Sequence, residues 1–152
     1  MLMITDMRKK TILCFLFPVL FFLSCGEEQQ RTIFFSPVNF RIDLNGFDHS
    51  LNNPLTYKTF TQGRLQTDRV GFGGLLIVSG VNGEIFAFDL ACPFERQQNV
   101  TVVPNNNGEA VCPSCGRVFM TMHGFGNERN GRLFLQRYNV VSQGGGVFVV
   151  RN

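Results

Sequence analysis

Short apolar runs broken by glycine, asparagine and proline set the rhythm of this chain, and none keeps a helical period for long. The clearest pattern is GGLLIVSGVNGEIFAFDLACP, residues 73–93. Leu75–Ser79 reads as a strand. Asn82-Gly83 is expected to form a type I′ turn with positive φ at both residues, and residues 84–90 return as the partner strand. NVTVVPNNNGEAVCP, residues 99–113, reads as a looser hairpin turning on 105–108. Further strands are expected within 33–44, interrupted at Pro37, and at 55–61 and 118–122. A last pair, 137–142 and Val147–Arg151, turns on 144–146. Residues 45–54 are rich in turn formers, and HGFGNERNG, residues 123–131, is expected to be a polar loop. The pattern predicts an all-β domain with two cysteine-bearing loops at hairpin ends.

Composition narrows the function more than the fold. The 152 residues are 44% hydrophobic, with 17 Phe and no Trp, so phenylalanine must supply the aromatic core volume. The net charge of +3 sits partly at the N-terminus. Beyond residue 24 there remain 11 basic and 10 acidic residues, which points to no nucleic-acid partner. With two histidines, His49 and His123, and no nucleophile elbow, no Ser–His–acid set is visible. GFGG at 71–74 lacks the following helix and lysine of a phosphate loop and reads as a bend before a strand. No small-molecule substrate is indicated, and the chain is expected to be no enzyme by itself.

The N-terminal residues read as an export signal. Arg8, Lys9 and Lys10 precede a 12-residue apolar stretch, 12–23, that contains Pro18. Such a stretch is too short to cross a bilayer core of about 30 Å as a helix. It ends in FFLSC, and Leu23-Ser24-Cys25 resembles a bacterial lipobox, although Phe22 departs from its usual leucine. The resemblance implies a signal peptide at 1–24, lipid on Cys25 and a tether over 25–31. The membrane is then a partner through that lipid, and any protein partner is unidentified. The implied location is the envelope of a Gram-negative bacterium, as an outer-membrane lipoprotein facing the periplasm or the cell surface. Cys14 would leave with the signal, so three cysteines remain for the mature chain: Cys92, Cys112 and Cys115.

Those three stand in a specific frame. NGEIFAFDLACPF, a 17-residue gap (95–111), CPSCGRVF and then LQRYNVVSQGGGVFVV follow in order. Over residues 73–151 this resembles a Rieske iron–sulfur domain, which runs from a hairpin into C-x-H and later C-x-x-H-G-x-x-F. The resemblance implies an antiparallel β-sandwich over 32–152 with a small loop-built cluster-binding subdomain. It also implies a [2Fe–2S] cluster for electron transfer, with two Cys on one iron and two His on the other. Cys92 and Cys112 fall at the thiolate positions, but Phe94 occupies the first His position and Cys115 the second. Phe cannot ligate a metal, whereas Cys can. Arg117 stands where many members carry a cluster-bonding Ser, and a Pro of the covering loop is missing near 131–133.

Four outcomes stay open for the site. It could be cluster-free, with a disulfide between two of the cysteines, leaving a binding or structural module. It could hold a non-standard [2Fe–2S] cluster on Cys92, Cys112, Cys115 and Glu95, or structural zinc on the same atoms, since CPSCG also resembles a zinc knuckle. It could be a redox C-x-x-C pair, which normally opens a helix and so fits a β-loop worst. His123 could reach the site only if its loop folded over. The residue changes favour no cofactor.

Overall fold

The computed structural model describes residues 33–152, so the export signal, Cys25 and the tether lie outside the described residues. Eleven strands are present among the described residues: β1 Val38–Asp43, β2 Tyr57–Phe60, β3 Arg69–Val70, β4 Leu75–Ser79, β5 Ile85–Asp89, β6 Val103–Pro104, β7 Glu109–Val111, β8 Val118–Met120, β9 Asn127–Glu128, β10 Arg137–Gly144 and β11 Val147–Arg151. One 3-10 turn, His49–Asn52, is the only helical element among the described residues. All pairings are antiparallel. Seven strands form one sheet in the order β2-β4-β5-β10-β11-β1-β3, and β6-β7-β8-β9 form a second, smaller one. The all-β class and the separate small subdomain around the cysteine loops are as the sequence led us to expect.

The large sheet curls over itself. β2 lies at one edge and β1 next to the other, yet the rings of Phe60 and Phe40 are 4.5 Å apart. Val38, Phe40, Ile42, Leu75, Ile77, Ala87 and Val150 fill the space so enclosed. The strand LLIVS is buried at every position rather than at alternate ones. The cause is two-sided burial, because Leu75 and Ile77 face this first core while Leu76 and Val78 join a second. The second core lies against the small sheet and contains Phe88, Leu90, Ala110, Phe119, Cys92 and Cys112.

Three local expectations need correction. Only Gly83 takes positive φ in the β4–β5 connection, and Asn82 does not. Gly83 N–H donates to Gly80 O and Gly80 N–H to Glu84 O, giving a type I turn closed by a left-handed glycine instead of type I′. The 118–122 strand stops at Met120. Residues 123–131 are not all loop, because Asn127–Glu128 pairs with β8. Neither β9 nor the two-residue β3 has enough length to leave an alternation in the sequence.

The bend at 71–74 is a packing feature. A Cβ on Gly73 would sit 2.6 Å from the Ala91 backbone nitrogen. Gly73→Ala is therefore expected to cost about 1–3 kcal/mol, seen as a lower urea midpoint with an unchanged slope.

Candidate metal centre

Cys92 and Cys112 each open a tight loop at the small-subdomain end of the second core. The first loop leaves the isolated bridge Ala91↔Thr101, and Cys92 N–H is held by Val100 O at 2.9 Å. The second joins β7 to β8, where Cys112 N–H donates to Arg117 O at 2.9 Å. Both cysteines are fully buried, and Cys115 is half-buried. The Sγ atoms of Cys92, Cys112 and Cys115 all lie within 4.8 Å of one another, and Cys92 and Cys115 are 3.7 Å apart. All three are thiols. No helix follows either loop, which removes the usual support for a redox C-x-x-C.

The two inner thiols differ in acidity. Burial pushes Cys92 up to about 12, against the pull of the Glu95 and Phe94 backbone amides. Burial also works against ionisation of Cys112, but the Cys115 amide, the Cys92 thiol and the Ser114 amide together outweigh it and bring Cys112 below its usual value.

The residues at the altered ligand positions are placed as follows. Cys115 belongs to the thiol group. Phe94 turns outward, 51% exposed, and Arg117 lies over its ring at 4.1 Å. Two of the residues at which the sequence differs from the pattern it resembles, Phe94 and Arg117, thus form one cation–π contact between the two loops. Arg117 also pairs with Glu128. The Glu128 carboxylate in turn accepts Leu133 N–H at 3.3 Å, which ties down the loop between these two residues. Glu95 accepts from Ser114 Oγ at 3.1 Å, so its carboxylate leans from the first loop toward the second without joining the thiol group. His123 is exposed and interacts with Glu84 at the β4–β5 hairpin rather than with the cysteines. His49 sits in the 3-10 turn, far along the chain from either loop.

One residue behind the site was not anticipated. Asp89 is fully buried and accepts from Phe72 N–H (2.7 Å), Gly73 N–H (2.9 Å), Ala91 N–H (2.8 Å) and Tyr138 O–H (2.6 Å). It locks the 71–74 bend to the segment that leads into Cys92. Its signal in the sequence is an acid inside the apolar run FAFDLACP. Tyr138 is pushed well above the usual phenol range, first by burial and then by the Asp89 charge.

No family model matches this chain, and no curated protein is similar to it. Among solved structures it is similar to a candidate NADH-dependent nitrite reductase small subunit from Mycobacterium tuberculosis, at 13% identity and a TM-score of 0.47, over 76% of this chain and 96% of that one.

Proposed function

We propose that this chain is a non-enzymatic module of the bacterial cell envelope, an outer-membrane lipoprotein tethered by lipid on Cys25. Its Rieske-like β domain assembles no standard [2Fe–2S] cluster and serves as a structural or binding scaffold. The observation that carries this is the convergence of three thiols at one point, with Phe94 turned away from them. A Rieske cluster needs two imidazoles on one iron, and no histidine stands among these donors. Thiolates on opposite irons are also held apart by the sulfide-bridged core, whereas these three Sγ atoms lie within 4.8 Å. The residues do not fit the cluster. The remaining polar groups at the rim engage one another, Glu95 with Ser114 and Arg117 with Glu128.

The test is expression of the full chain in an iron-replete Gram-negative host supplied with labelled palmitate. The expected result is label in the outer-membrane fraction, lost in Cys25→Ala, and a colourless protein without acid-labile sulfide when purified anaerobically. A brown protein with about two irons and equal sulfide would instead make it an electron carrier with a new ligand set, at most an accessory component of another enzyme.

A further inference from the structure

The two cysteine loops are copies of one turn. The first reads Cys92-Pro93-Phe94-Glu95-Arg96 and the second Cys112-Pro113-Ser114-Cys115-Gly116. In each, the N–H of the fifth residue donates to the carbonyl of the cysteine, Arg96 to Cys92 at 2.9 Å and Gly116 to Cys112 at 2.8 Å. In each, that fifth residue is left-handed, with φ +55° at Arg96 and +71° at Gly116. Glycine takes this conformation freely, but arginine does so at a cost. The first loop therefore holds the turn against its own sequence. In each, too, the amides of the third and fourth residues act on the cysteine sulfur. At position four each loop carries a residue able to ligate a metal, Cys115 in one and Glu95 in the other.

We infer that these paired turns form a closed, four-coordinate site for one zinc-class divalent cation, held by Cys92, Cys112 and Cys115 with Glu95 as the fourth ligand. The spacing of the sulfurs fits one ion. Ligands about 2.3 Å from a tetrahedral centre stand about 3.8 Å from one another, and Cys92 and Cys115 are 3.7 Å apart. The fourth corner belongs to the residue that the repeat of the turn places opposite Cys115. Glu95 already leans toward the second loop, held there by Ser114 Oγ at 3.1 Å. A carboxylate and three thiolates suit zinc, which accepts both donor types. The thiol protons are released to solvent as the ion binds. Three thiolates and a carboxylate around a dication carry a net charge of −2. Arg117, which already feels the Cys115 and Cys92 sulfurs, faces that charge. The inference rests on the cluster-free reading above and would give the scaffold a metal staple in place of the iron–sulfur centre.

The experiment uses the full chain, reduced and stripped of metal, titrated with zinc against a chromophoric chelator and with cobalt(II) as an optical probe. The expected result is one ion per chain and the strong visible bands of tetrahedral cobalt. Glu95→Ala should weaken zinc at least about tenfold and shift cobalt away from the wild-type spectrum. Glu95→Cys, which repeats the second loop's donor, should bind more tightly and add thiolate-to-cobalt charge-transfer intensity, a gain that no merely structural role of Glu95 predicts. Equal affinities for wild type and Glu95→Ala would overturn the fourth ligand. No uptake of either ion by the folded, reduced chain would overturn the site. Two irons with sulfide in the protein as isolated is a different result, and it sinks the cluster-free reading together with this one.

Discussion

Asp89→Ala is expected to destabilise the protein by about 3–5 kcal/mol, a large share of the stability of a domain this size. The carboxylate accepts four donors in a fully buried position, and alanine leaves Phe72 N–H, Gly73 N–H, Ala91 N–H and Tyr138 O–H without a partner. Buried donors stranded in this way carry most of the cost. The consequence reaches the thiol site, because Ala91 immediately precedes Cys92. A melt should show a loss of roughly 15 °C, and Cys92 should label with a thiol reagent under conditions where the parent protein protects it. Asp89→Asn, which keeps one acceptor oxygen but turns an amide toward donors, should fall between. Tyr138→Phe removes one donor and its hydrogen bond, and should cost only about 1 kcal/mol. A change of less than about 1 kcal/mol for Asp89→Ala would mean that water replaces the carboxylate and that the bend is held by packing alone.

Asp48→Ala should follow closely, at about 3 kcal/mol. Its side chain is fully buried, where it meets Arg64 (Nη1 at 2.9 Å) and Lys58 (Nζ at 3.2 Å) and accepts Asp43 N–H at 3.0 Å. Arg64 in turn covers the rings of Phe60 and Phe40 at 4.7 and 5.1 Å. Removing the acid leaves a partly buried guanidinium without its counter-charge over the first core. Burial pushes the Asp48 carboxyl up, but the Arg64 hydrogen bond, the Asp43 N–H, Lys58 and the Arg64 charge together hold it below its ordinary value. A folded value lower than the unfolded one gives stability that is complete above about pH 4 and is lost as pH falls through the folded value. Acid unfolding of Asp48→Asn should therefore be shallower below about pH 4 than that of the parent. Parallel acid profiles would assign the acid sensitivity to other carboxylates.

The sequence alone determined the β class, the main hairpins and the two loops that carry the cysteines. Leu75–Ser79 and Val147–Arg151 are strands as expected, and residues 105–108 turn as expected, with Asn105 Oδ1 accepting the N–H groups of Asn107 and Glu109. These features are local: apolar run length, turn chemistry and cysteine spacing act over a few residues and show themselves there. Only the tertiary structure could place Phe94 against Arg117 and give the first loop the same turn as the second. In sequence, Phe94 and Arg117 are two unrelated substitutions, and CPFER resembles CPSCG only in its first two residues. Their equivalence follows from left-handed backbone at Arg96, a conformation that sequence gives no reason to expect of arginine. The same holds for Asp89 and Asp48, whose partners come from distant strands and loops. A buried acid is visible in a hydropathy pattern as an exception, but its donors become known only when the sheet closes over it.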